Sequence, residues 1–248
     1  MIQFRVLYSL DLLGTVTFAI SGTLLAIEQQ RKGYLASFLD FPRALLYAGL
    51  TALGGGTLRD LLLSRPIFWV RSPTYLSIAL CTGSLTFLLS LTVLNSPRYF
   101  QNHLWLPDVI SLATFTVVGT QVAMQQTFVL THGILQSAGL PLLWLCSPLM
   151  GVLTGVGGGF IRDLLRRRKP FAIAHSQYPL ASLAGGSLYQ LARQLQMPNA
   201  FAIALTILSV VFMLSAKRSF PSSKRKPIED GLKSQVLLNS HFDNSPPN

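Results

Sequence analysis

The stretches LGGGTLRDLLL (53–63) and VGGGFIRDLLR (156–166) carry one unusual pattern twice: three consecutive glycines and then, two residues on, an Arg-Asp pair. A glycine inside a helix is destabilising by roughly 0.5–1 kcal/mol relative to alanine. Charged side chains at membrane depth cost at least ~2.5–3.5 kcal/mol each on insertion scales. Both penalties fall at corresponding places of two long apolar stretches, so these positions are the first candidates for function. They are Gly54, Gly55 and Gly56 with Arg59 and Asp60, and Gly157, Gly158 and Gly159 with Arg162 and Asp163.

The rest of the chain supplies the setting. Half of its 248 residues are hydrophobic and only 12 % are Asp, Glu, Lys or Arg, against about 25 % in a soluble domain. Apolar runs of spanning or near-spanning length lie near 6–27, 44–63, 74–94, 109–127, 141–165, 178–196 and 199–216. One such run fits a buried helix of a soluble protein; seven in so short a chain predict an all-α integral membrane protein with seven transmembrane helices.

Self-similarity organises the seven runs. Asp11, Phe18, Gly22, Thr23 and Ala26 recur as Asp108, Phe115, Gly119, Thr120 and Ala123 at an offset of 97. The offset then becomes 103, matching Thr51, the first glycine triplet, Arg59, Asp60 and Tyr75 to Thr154, the second triplet, Arg162, Asp163 and Tyr178. The expected organisation is a first three-helix repeat over 1–102, a second over 103–197, a seventh helix at 198–216 and a disordered basic tail at 217–248. Three is odd, so the second repeat enters the membrane from the opposite side to the first. Inverted repeats with paired Gly-interrupted segments point to a transport pathway.

The twenty Lys and Arg exceed the nine Asp and Glu, but they gather in loops and the tail, so the excess reads as topogenic and no nucleic-acid partner is expected. Connections after spans 1, 3, 5 and 7 hold most of them, including Arg166, Arg167, Arg168 and Lys169, while the opposite side holds Arg5, Arg65, Arg71 and Arg193. The positive-inside rule then puts the N-terminus outside and the C-terminus in the cytoplasm of a plasma (inner) membrane protein. Arg166 to Lys169 form a basic cluster placed to meet anionic lipid headgroups. Asp11 interrupts the first apolar run, which therefore reads as a retained span and not a cleaved signal.

Enzyme chemistry finds no support. Cys81 and Cys146 lie in apolar spans without disulfide or metal spacing, and the four histidines, at 103, 132, 175 and 241, show no ligand-like pattern. The glycine loops lack the lysine of a nucleotide site. No catalytic residue, metal or cofactor is expected. Trp69, Trp105 and Trp144 suit interfacial anchors.

If spans 2 and 5 break at their triplets, backbone groups leave the helical ladder, which lipid tolerates only beside protein or a water-filled cavity. The two breaks are then expected to face each other near the midplane. Adjacent residues on a helix do not face each other, so each Arg-Asp pair is expected to seek separate partners. Asp11 and Asp108, near the starts of spans 1 and 4, read either as N-terminal caps or as charges of the pathway. Gly22, Gly83, Gly119 and Gly186 read as close-packing positions.

The motifs FAISG (18–22) and TALGGGTLRDLLL (51–63), with the preceding Asp and the later Tyr, resemble the prokaryotic trimeric intracellular cation (TRIC) channel family, whose repeat is also described as a glycine transporter domain. The resemblance covers roughly residues 7–216. It implies a homotrimer with a pore in each subunit, lined by Gly-kinked spans 2 and 5 and passing monovalent cations such as potassium and sodium. By the same resemblance the triplets are hinges, and Arg59 and Arg162 are pore-associated. Two departures stand out: Arg43 where such proteins have a glycine, and FTVVG (115–119) in place of FAISG. A carrier for glycine or another small amino acid is the alternative. A membrane scaffold without transport is a third reading.

Overall fold

The computed structural model describes residues 2–30, 40–92, 105–131, 139–165 and 176–219. Among them are seven long helices and one short one: α1 (Ile2–Gln30), α2 (Asp40–Leu62), α3 (Phe68–Arg71), α4 (Thr74–Thr92), α5 (Trp105–Thr131), α6 (Gly139–Leu165), α7 (Gln177–Gln194) and α8 (Asn199–Ser219). The expected spans 1 to 7 correspond to α1, α2, α4, α5, α6, α7 and α8. No strand occurs among the described residues. Met1–Leu214 form one compact unit and Ser215–Asn248 a second; the repeats lie in the first. Arg166 to Lys169 fall outside the described residues, as do most of the basic tail and the Trp144 side chain.

Among the described residues, four helices contain stretches long and apolar enough to cross a membrane: Arg5–Glu28, Thr74–Leu91, Trp105–Gln126 and Asn199–Ala216. The sequence expectation of seven apolar spans is thus met by seven long helices of unequal hydropathy. The difference has a physical origin in α2 and α7. Their polar residues, among them Thr51, Arg59, Asp60, Ser182 and Gln190, are buried against protein, so their neighbours supply the apolar contact that lipid would otherwise require.

The two repeats are related by reciprocal contacts. A methyl group added to Gly55 would lie 2.2 Å from the carbonyl oxygen of Thr154, and one added to Gly158 would lie 2.2 Å from that of Thr51. Gly55 and Gly158 are equivalent at the offset of 103, as are Thr51 and Thr154. Contacts in which one residue meets its partner's equivalent, and the reverse, belong to a two-fold axis. Phe18 and Phe115, equivalent at the offset of 97, stack on each other with centroids 5.3 Å apart, which places them beside that axis. Inside each repeat the pattern recurs: Gly22 receives the Tyr47 carbonyl and Thr51 Oγ1, and Gly119 receives the Met150 carbonyl and Thr154 Oγ1. The expected packing role of these two glycines is what the structure displays.

The seventh long helix has no counterpart and is held differently. Val210 and Leu214 of α8 join Val109, Leu112 and Tyr178 in one buried cluster. At its start the Tyr189 hydroxyl lies 2.6 Å from Gln121 Oε1 and 2.7 Å from Asn199 Oδ1, two amide oxygens placed to accept its proton.

Candidate functional site

Both glycine triplets lie inside unbroken helices, so the expected breaks are absent. Leaving buried peptide groups unpaired is costly wherever water is excluded. Glycine instead removes the side chains that would hold α2 and α6 apart, and their backbones touch. The triplets do face each other, as the inverted repeat required, but as a crossing point and not as open coils.

The Arg-Asp pairs lie on the turn that follows each triplet and are buried: Arg59 is 3 % exposed and Arg162 4 %. Each arginine reaches its own neighbour, against the expectation of separate partners. Arg59 Nε and Nη2 both donate to Asp60 Oδ1 at 2.9 Å, and Arg162 Nε donates to Asp163 Oδ1 at 3.3 Å. The guanidinium's long stem lets it curl back along the helix, and the large penalty for an unpaired buried charge outweighs the unfavourable spacing.

From there the repeats differ. In the second, Arg162 Nη1 donates to Asp108 Oδ1 at 2.8 Å, and Nη2 lies 3.4 Å from Asp108 Oδ2. Ser21, from α1 of the other repeat, accepts from Arg162 Nη1 and donates to Asp108 Oδ1. Three helices are thereby tied at one point. A cavity of about 30 Å³, large enough for a water molecule, lies against Asp108, Gly155, Gly159, Arg162 and Tyr178.

In the first repeat, Asp60 Oδ2 accepts the backbone N–H of Phe68 at 2.9 Å. The Phe68 ring lies 5.6 Å from the Arg59 guanidinium carbon, edge-on to Tyr75 with centroids 4.8 Å apart, and so close over Gly56 that an added methyl would fall 2.5 Å from Cε1. Arg59 Nη1 is buried and has no hydrogen-bond partner among the described residues. Asp11 is buried nearby, within electrostatic reach of Arg59 and of the Tyr75 hydroxyl.

Asp11 lies well inside α1, which begins at Ile2, so it is not a helix cap. Asp108 stands in the first turn of α5 but spends both oxygens on Arg162. The charges singled out by sequence therefore assemble into two clusters, one per repeat. Ser21 and Phe68 were not singled out as site residues. Ser21 left a faint signal as a hydroxyl in the middle of an apolar span. Phe68 left one in its recurrence as Phe171 at the repeat offset of 103, though a loop aromatic looks like an interfacial anchor until the loop is seen to fold inward.

The same two-part division appears in comparison with known proteins. The family model described as "Glycine transporter" matches residues 8–90 and 105–194. This chain belongs to that family. Its relatives include the UPF0126 inner membrane protein YadS of Escherichia coli K12, 37 % identical over 183 residues, 73 % of this chain and 76 % of that one. A UPF0126 membrane protein of Vibrio cholerae is 33 % identical over 208 residues, 84 % of this chain and 77 % of that one. Among solved structures, the TRIC trimeric intracellular cation channel orthologue from Rhodobacter sphaeroides superposes with a TM-score of 0.68 at 28 % identity, covering 85 % of this chain and 96 % of that one. A structure described as explaining conductance through TRIC cation channels superposes at 0.62 with 27 % identity, covering 84 % and 91 %. The fold of this glycine transporter family member is the TRIC channel fold, and the family member is a multi-pass membrane protein.

Proposed function

We propose that the chain is a channel for monovalent cations, potassium and sodium, with a pore in each subunit of an inner-membrane homotrimer. The observation that carries this reading is the charge content of the two clusters. Each sets two aspartates against one arginine: Asp11 and Asp60 with Arg59, Asp108 and Asp163 with Arg162. In the second cluster the carboxylate in excess of the Arg162 charge favours a cation over an anion or a neutral solute. The likeness to structures described as cation channels supports the same reading.

In this proposal the pore runs beside α2 and α6. Gly54–Gly56 and Gly157–Gly159 form the fulcrum on which those helices move. The N-terminus lies outside, Arg166 to Lys169 meet anionic headgroups in the cytoplasm, and the repeats divide at residues 102 and 197. The family's description as a glycine transporter favours a second reading, a carrier for a small amino acid.

Recording from purified protein in planar bilayers tests the two together. Unitary current steps carried by potassium, lowered by Asp108→Asn in assemblies that remain intact, are the expected result. Saturable glycine uptake into proteoliposomes without current steps would overturn the channel reading in favour of the carrier.

A further inference from the structure

We propose that the stacked pair Phe18 and Phe115 is the gate of the conduction path, an apolar plate across the route between the two charged clusters. The proposal deepens the cation-channel reading and rests on it. Ser21 binds Arg162 and Asp108, and Gly14 lies against the Phe115 ring, so α1 and α5 run antiparallel. Asp11 and Ser21 are ten residues apart, which at about 1.5 Å per residue sets the clusters roughly 15 Å apart along α1. Phe18 stands between them on α1 and Phe115 between them on α5, their rings stacked with centroids 5.3 Å apart. Phe18 also borders the cavity at Asp108 and Arg162.

The rings adjoin a contact that is already closed. The α2 and α6 backbones touch at Gly55 and Gly158, and a methyl added to Gly158 would also fall 3.1 Å from Phe18 Cε2. One added to Gly14 would fall 2.9 Å from Phe115 Cε2. A bare glycine backbone is thus the seat of each ring, and both rings are buried. Polar groups stand beside them. Thr114 Oγ1 meets the same face of Gly14 as Phe115, and the Thr51 carbonyl meets the same face of Gly158 as Phe18. Thr51 Oγ1 is buried and has no hydrogen-bond partner among the described residues. Water admitted here would find groups to bind, while rings in contact exclude the water that a cation travels with and so block it. The rings are equivalent at the offset of 97, so each repeat supplies one leaf, and a shift of α1 against α5 parts both.

Leucine and asparagine, nearly equal in size and opposite in polarity, separate exclusion of water from bulk. Phe18→Leu, Phe18→Asn, Phe115→Leu and Phe115→Asn are measured beside wild type for potassium flux in liposomes and for assembly by size-exclusion chromatography. The expected order of flux per intact assembly is wild type, then Leu, then Asn, with Asn severalfold above wild type and the same order at both positions. Phe87→Ala, which removes a buried ring from a separate cluster, is expected to leave flux unchanged. If the Asn variants fail to assemble, the Leu variants must still exceed wild type. Intact variants with wild-type or lower flux, equal flux in Leu and Asn, or an equal rise in Phe87→Ala would overturn the gate. Absence of potassium flux from wild type and every variant alike would instead remove the channel reading beneath it.

Discussion

The first and second repeats use one motif to build two different closures. In the second, Arg162 is shared between Asp163, Asp108 and a serine borrowed from the other repeat. In the first, Arg59 is held by Asp60 and covered by Phe68, and one of its nitrogens is left without a partner. The repeat position equivalent to Ser21 is Val118, which has no hydroxyl to offer. Duplication therefore fixes where the guanidinium sits, while one unrepeated residue, Ser21, adds to what Arg162 grips. A membrane interior amplifies such differences, because a polar atom that lacks a protein partner finds no water to replace it.

The largest effect should come where the repeats are alike. Gly55→Ala or Gly158→Ala would drive a methyl to 2.2 Å from a backbone carbonyl, and the carbonyl has nowhere to go without parting α2 from α6. Either substitution alone should abolish most of the monodisperse assembly. Gly159→Ala, whose methyl would meet nothing nearer among the described residues than Arg162 Nη2 at 3.7 Å, should leave the yield close to wild type. Equal losses at Gly158 and Gly159 would mean that chain flexibility, and not contact, is what the triplet provides.

Next comes the contrast between the two aspartates. Asp108→Asn removes the carboxylate that pairs with Arg162 and should destabilise by about 3–5 kcal/mol, the usual result of breaking a buried ion pair from one side. Asp11→Asn keeps an acceptor for Tyr75 and should cost about 1 kcal/mol or less, the scale of one altered hydrogen bond. Thermal unfolding in one detergent compares them. Equal shifts would erase the distinction between a closed cluster and an open one.

Smaller still is Ser21→Ala, which should cost about 1 kcal/mol for the hydroxyl wedged between Arg162 and Asp108. Gly49→Ala marks the low end. No atom of the described residues lies within 4 Å of its added methyl, so helix propensity alone should raise stability by roughly 0.5–1 kcal/mol.

These contrasts show which parts of the molecule were legible in advance. The helices, their duplication and the inversion followed from the period of apolar residues and an odd number of spans per repeat. The charged residues were found because burying charge is expensive enough to stand out anywhere. Their pairing was not: the rule that adjacent residues diverge describes short side chains on exposed helices, and a buried arginine stem bends to satisfy its head. The triplets were read as breaks because glycine's backbone freedom is the property visible in one strand of sequence. Its lack of a side chain matters only against a second helix, and the partner atoms, Thr51 and Thr154 carbonyls, are backbone and carry no sequence signal. Phe68 was hidden for a similar reason, since its meaning depends on the fold of a loop.

The reciprocal joint at Gly55 and Gly158 has a bearing on ancestry. The surface that one half presents is the surface the other half presents, turned over. A gene for a single half would therefore encode both sides of the joint, provided that its product was inserted in both orientations. Two such copies would meet glycine to carbonyl in the same way that α2 and α6 do within one chain. Fusing them end to end would fix a one-to-one ratio of the two orientations, and only then would one copy be free to acquire a serine where the other has a valine.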